Sequence, residues 1–322
     1  MATHQLARLT QRLRHGMWLA LFLTTAAVHA QQEPAFVQYW DMEPQYNPAA
    51  AGRSDQLSIN AAYQVHAAGY TDAGGTMYAG ADIALQFGNT RHGLGAIFMN
   101  DAIGIFSHKR FSLQYSNHFN LFGGKMSAGA EVDMLSETID GSDATFPEQG
   151  SDPAIPATSV SGSKFDLSVG LWYTHKKWYA GVSMLHATSP TVNLGEPNQY
   201  HYHAVYQLTG GYIWQLRNKA LSLRPSTMLR YDGTDFRADL TMRLVWQREK
   251  NTFQAGLNYS PQHSVAAFLG ATIHGLVIGY AYEVNTSGMG LGNGNHEITL
   301  GYRLPLNLQK RGKNLHKSVR YL

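Results

Sequence analysis

Fifteen histidines are the residues of this chain that first suggest chemistry, and His201 and His203, two apart, would put two imidazoles on one side of a strand as candidate metal ligands. No third ligand lies close in sequence, and the spacings of zinc sites are missing. Ser183, His186 and Asp166 could act as nucleophile, base and orienter, the roles that a hydrolase needs. A spacing of three along a strand sets Ser183 and His186 on opposite faces, which argues against that trio. The glycine-rich stretch 288–294 matches no G-x-G-x-x-G and opens a strand rather than a helix, and neither G-x-x-x-x-G-K nor G-x-S-x-G occurs. With no cysteine, disulfides and thiolate metal sites are excluded. The expectation is a protein that is not an enzyme and carries no cofactor or metal.

The elements that would hold such residues have a period of two. Over 236–247, Phe236, Ala238, Leu240, Met242, Leu244 and Trp246 share one face, while Arg237, Asp239, Thr241, Arg243 and Gln247 share the other. Alternation at every position is the mark of a strand. Charges on the second face mean that it is wet. If the wet face closes into a lumen and the apolar face meets lipid, the pattern describes an all-β, transmembrane, antiparallel outer-membrane β-barrel. Similar stretches over 57–68, 76–87, 93–101, 110–121, 125–138, 164–174, 177–187, 203–216, 220–231, 235–247, 251–259, 264–273, 275–284 and 296–305 give about 14 strands, an even number long enough to cross a tilted apolar band. The stretch 264–273 is apolar on both faces.

The ends complete the plan. Arg8, Arg12 and Arg14, an apolar run over 17–28 and small residues before Gln31 read as a signal peptide over 1–30, with a membrane anchor as the alternative. An anchor would need roughly 20 apolar residues. Residues 31–56 form a leader or plug, 57–305 the barrel and 306–322 a basic tail. Asn47 and Pro48 hold the leader extended or turning, and Phe36, Tyr39, Trp40 and Tyr46 are expected to pack it against or inside the periplasmic mouth; a partly disordered leader is the alternative. A net charge of +3 is too small to imply nucleic acid.

Connection lengths set a direction. Those at 88–92, 122–124, 175–176, 217–219, 248–250 and 274 are short, as periplasmic turns are, whereas 139–163, 188–202 and 285–295 are long, as surface loops are. This arrangement puts both termini in the periplasm. The expected lumen set is Asp82, Glu131, Asp133, Arg224, Arg230, Arg237, Asp239, Arg243, Glu297 and Arg303. Its mixed signs favour mutual pairing over an ion-selective pore.

Several segments in order resemble one family. Gln32, Glu33, Pro34, Phe36, Gln38 and Tyr39, followed by Tyr46, Asn47, Pro48, Ala49, Ala51 and Gly52, look like the opening signature of the PorP/SprF proteins of type IX secretion. Gly181, Ser183, Leu185, His186 and Pro190 resemble a Gly-x-Ser-x-x-His segment, and His203, Tyr206, Leu208 and 209–212 resemble the strand after it. Pro225 and Ser226, 279–283, Ser287, Gly294, His296, Glu297, Ile298, Leu300 and Tyr302 resemble the last third, so the likeness runs from residue 32 to about 304. Glu33 stands where the family usually has Asp. The resemblance implies an outer-membrane component of the Bacteroidetes secretion and gliding machinery, in the lipid bilayer, whose partners are other secretion components and a secreted or surface-anchored protein with a C-terminal sorting domain.

The partner is expected on the outward loops, with Asp143, Phe146, Asp152, Asn285 and Met289 as candidate contacts, because a rigid scaffold builds specificity on its loops. The alternatives are a passive or hydrophobic-solute channel and, after it, a surface hydrolase.

Overall fold

The computed structural model describes residues 33–68, 74–88, 90–142, 155–156, 158–195, 198–286 and 294–306. The 1–30 segment, most of the basic tail, Asp143, Phe146, Asp152 and Met289 lie outside the described residues.

Seventeen strands form in chain order: β1 Gln56–Val65, β2 Gly75–Phe87, β3 Thr90–Ile103, β4 Phe106–Leu121, β5 Gly124–Ile139, β6 Val160–His175, β7 Trp178–Leu185, β8 Thr191–Leu194, β9 Asn198–His201, β10 Val205–Tyr212, β11 Trp214–Gln215, β12 Leu221–Tyr231, β13 Phe236–Arg248, β14 Asn251–Ser260, β15 Ser264–Ile273, β16 Leu276–Asn285 and β17 Asn295–Pro305. All but β8 and β9 belong to one sheet, each strand antiparallel to its sequence neighbour. β1 pairs with β17, Gln56 opposite Pro305 and Val65 opposite His296, so the sheet closes on itself. β10 and β11 are one wall strand interrupted at Ile213, which gives a closed 14-stranded barrel. Closure leaves no unpaired edge.

Burial inverts the pattern of a soluble protein. Leu113, Val132, Leu167, Leu257, Leu269 and Leu300 are each about half exposed or more, while Ser112, Gln114, Asp133, Ser168, Asp239 and Thr299 are buried. The apolar face therefore looks outward and the polar face inward, as the alternation requires of a barrel in lipid.

Strand limits differ in instructive places. β3, β4 and β6 begin three or four residues before their expected starts, and a tight turn at Gly104 and Ile105 replaces a longer outward connection. Within the 188–202 connection lies the β8–β9 hairpin, which the sequence reading lacked. Its Val192 and Leu194 pack with Tyr202 on Leu135 and Ile139 of the inner wall, so the hairpin folds into the barrel mouth. Alternation fails in 264–273 because Phe268 faces inward and packs on Trp40 of the leader, with ring centroids 4.7 Å apart.

At one barrel end the wall strands join through 88–89, 122–123, 176–177, 216–220, 249–250 and 274–275, all short. Phe122 and Gly123 both have positive φ, 47° and 76°, the geometry of a two-residue hairpin whose twist matches the sheet. The longest connections, 66–74, 140–159, 186–204 and 286–294, lie at the other end.

Candidate functional site

The lumen is filled by the leader. Short turns at Tyr39–Asp41, Glu43–Tyr46 and Pro48–Ala50 compact it, with Pro44 and Pro48 in the first turns of the last two, where a proline costs no hydrogen bond. Phe36, Val37, Gln38, Tyr39, Met42, Gln45, Asn47, Ala49 and Ala51 are all essentially inaccessible.

Asn47 fixes the middle of this plug. Its Oδ1 accepts from the Ala49 N–H (2.9 Å), which caps the Pro48–Ala50 turn. Its Nδ2 donates to the carbonyls of Leu171 on β6 (3.0 Å) and Val182 on β7 (3.1 Å). Room for this comes from inward glycines. A Cβ at Gly170 would overlap the Asn47 Oδ1, one at Gly129 the Ala49 backbone, one at Gly93 the Ala51 carbonyl and one at Gly279 the Gln38 side chain. Barrel hydroxyls bond the leader backbone: Ser183 donates to the Tyr46 carbonyl (2.6 Å), Ser127 to that of Ala49 (2.7 Å) and Ser116 to that of Ala51 (2.7 Å). Glu297 accepts from the Val37 and Gln38 N–H groups at 2.6 and 3.0 Å, and Asp82 from the Gly52 N–H at 2.9 Å. Gly52 has φ +64°, a conformation a side chain would strain.

The leader crosses the barrel lengthwise. Gly52 meets Asp82 and lies beside Gly93 near the short-turn end, whereas Glu33 sits by Arg110 and His186 toward the long connections. Leu306 donates to the Asp55 carbonyl at the short-turn end. Although β1 begins and β17 ends at one mouth, the described chain therefore starts near the other.

Glu33 belongs to a buried charge cluster. His186 bonds Glu33 through Nε2 (2.8 Å) and Asp166 through Nδ1 (2.6 Å), and Arg110 lies 3.4 Å from Glu33. Burial alone would raise the Glu33 carboxyl, but Arg110 and His186 outweigh it and hold it at about 2. Burial likewise pushes His186 down, yet its bonds to Asp166 and Glu33 outweigh that and hold it up at about 9, so it is an imidazolium at neutral pH. Tyr202 packs its ring on His186, 4.7 Å between centroids, and donates to Glu137, joining the cluster to the hairpin cap. Further round the wall, on β12 and β13, Asp239 takes both Arg230 (2.8 Å) and Arg237 (2.9 Å), and Arg230 also reaches the Pro34 carbonyl (3.3 Å).

The face argument for Ser183 and His186 is overturned. His186 follows the end of β7 with φ +53°, so it leaves the strand alternation and points inward like Ser183. The Ser183 hydroxyl is bonded to Tyr46, and both His186 ring nitrogens to carboxylates.

Among the signature residues, Phe36, Gln38, Tyr39, Asn47, Pro48, Ala49 and Gly52 lie in the buried plug, with Pro34 at its start, and His186 and Glu297 are their receptors. His296 is not among them: it is on the outer side, bonded to Tyr280 (2.7 Å) and packed on Tyr282. Asn285 ends β16 and accepts weakly from Asn295 (3.5 Å). His201 and His203 meet edge to face, and among the described residues no group of three His, Cys, Asp or Glu side chains is placed to hold a metal ion. Arg110, Asp166 and Glu283 are lumen residues absent from the expected lumen set; all three occupy inward positions of recognised strands and follow from extending the alternation.

Toward the short turns the plug leaves a vestibule of about 820 Å³, lined by Trp40, Asp41, Arg53, Arg224, Arg243 and Arg303 among others.

The model of the type IX secretion system membrane protein PorP/SprF family matches residues 28–302, and the chain belongs to that family. No curated protein sequence matches it. Among solved structures it is similar to the CymD monoaromatic hydrocarbon channel, with TM-score 0.51 and 10% identity over 84% of this chain and 94% of that one. It is also similar to a Pseudomonas aeruginosa FadL homologue (0.48, 13%, 81% and 93%) and to the P. putida toluene transporter TodX (0.48, 10%, 81% and 93%). At these identities the likeness is one of fold, an outer-membrane β-barrel.

Proposed function

We propose that this chain is a sealed outer-membrane platform of the type IX secretion system, which holds a secreted or surface-attached partner on its long connections while its short turns face the periplasm. The observation that supports this reading is the lumen itself. Residues 33–55 occupy it from the Glu33–His186 contact to the Gly52–Asp82 contact, and the β8–β9 hairpin fills the mouth beyond. A barrel whose bore is taken up by its own chain works through its surfaces, and loops on a rigid scaffold are where specificity is built. Other secretion components would meet the periplasmic turns.

Replacing 143–154 with a short Gly/Ser linker tests the reading. The barrel should remain in the outer membrane while the surface partner is released to the medium; a partner retained on the surface would remove the loop as the holding site. The competing reading is a passive channel, which the 820 Å³ vestibule favours. It requires the leader to leave the lumen, and steady conductance of the purified protein in planar bilayers would replace the platform by the channel.

A further inference from the structure

The vestibule at the short-turn end holds two arginines whose charges no lumen ion pair answers. Arg224 on β12 and Arg243 on β13 are direct cross-strand partners, and both line the cavity. Like charges placed opposite one another on one face of a sheet repel. Higher in the lumen the corresponding conflict is answered by an acid: Arg230 and Arg237, also directly opposed, share Asp239. Among the described residues neither Arg224 nor Arg243 has an ion-pair partner. Arg224 Nε donates to Ser222 of its own strand (3.1 Å), and Arg243 lies over the Trp40 ring, 4.3 Å from its centroid. Arg243 is buried, and its Nε has no hydrogen-bond partner.

The carboxylates around the cavity are committed elsewhere. Asp41 is paired with Arg303 and Glu43 with Arg53, while Asp82 accepts from the Gly52 amide. Glu249 stands exposed in the β13–β14 turn. Lys176, Lys177 and Lys250 add positive charge at the rim.

We propose that this vestibule is an oxyanion-binding site, in which Arg224 and Arg243 clamp a phosphate or carboxylate group entering from the short-turn end. Two guanidiniums on directly paired residues that line one cavity offer charged N–H donors to such a group, and a bound anion would relieve their repulsion. Trp40 provides the floor and comes from the plug, so the site exists only while the leader is seated. At about 820 Å³ the cavity takes a group larger than a bare ion. The vestibule site does not depend on what the long connections hold.

The test is isothermal titration of the purified full-length barrel in detergent, with inorganic pyrophosphate and with N-acetyl-triaspartate as separate probes. Saturable binding that weakens with salt is expected for at least one probe. Tighter pyrophosphate binding identifies a phosphate source, and tighter peptide binding a carboxylate source. Arg224→Gln should weaken binding about tenfold or more. Lys164→Gln, an exposed change on β6, should leave it unchanged. Arg224 is the deciding position because its hydrogen bond to Ser222 stays within β12, whereas Arg243→Gln also disturbs the plug. As a second readout, the anion should raise the thermal midpoint of the parent but not of Arg224→Gln. No saturable binding of either probe, or equal affinity in a folded Arg224→Gln barrel, overturns the proposal.

Discussion

Asn47 stands in the space that a side chain on Gly170 would occupy, and from there its carboxamide joins the β6 and β7 walls to the plug. The pair explains why an asparagine in the leader and a glycine far along the chain depend on each other. Asn47→Ala removes the cap on the Pro48–Ala50 turn and both wall bonds, at a cost of about 1–3 kcal/mol. Gly170→Ala should loosen the plug from the other side. Both variants should keep the barrel folded on heat-modifiability gels while the 33–55 segment becomes cleavable by added protease. A leader as resistant as the parent's in both would contradict the wedge.

The Glu33–His186–Asp166 cluster makes retention of the leader depend on pH. His186 titrates near 6.5 when free and is held up at about 9, so its contribution is complete below about 6.5 and fades as pH rises through about 9. A shift of this size corresponds to on the order of 3 kcal/mol. Glu33 is depressed from 4.5 to about 2, so its contribution is present above about 4.5 and disappears as pH falls toward 2. Protease access to the leader should accordingly rise on the alkaline side, and Glu33→Gln should move that rise to lower pH because it removes one carboxylate from His186. An alkaline limb identical in the variant would separate Glu33 from the effect.

Asp239 answers two buried guanidiniums at once, so Asp239→Asn leaves Arg230 and Arg237 short of an acid inside the wall. Breaking such a buried pair costs about 3–5 kcal/mol. Urea unfolding of the protein in lipid vesicles should show the loss as a lower midpoint. Asn in place of Asp keeps the shape, and an unchanged midpoint would mean that Glu283, 3.3 Å from Arg237, is sufficient.

The lack of native cysteine makes sidedness simple to measure. Ser142→Cys places a thiol at the long-connection end and Lys250→Cys one in a short turn, both at exposed positions. A membrane-impermeant maleimide applied to intact cells should label the first and spare the second. The reverse result would invert the proposed orientation.

Period-two alternation made the barrel legible because inward and outward neighbours of a wall strand face media as different as water and lipid, and 236–247 shows this without any partner. Strand number and short turns followed from the same contrast. The weak stretch 264–273 was unreadable for a definite reason: Phe268 faces a plug ring and not water, so its polarity says nothing about the lumen. His186 misled because one positive φ just after a strand cancels the alternation on which the face argument rested.

Taken alone, the chain determined which residues face lipid, where the wall turns and that the leader carries an unusual density of aromatics and prolines. Only the tertiary structure decided what the signature residues do. Val37 and Glu297, 260 residues apart, meet because barrel closure brings β17 beside β1 and because the leader runs back through the bore. Pairing of that kind is set by the shape of a closed cylinder and the glycines that clear space within it, and no local spacing encodes it.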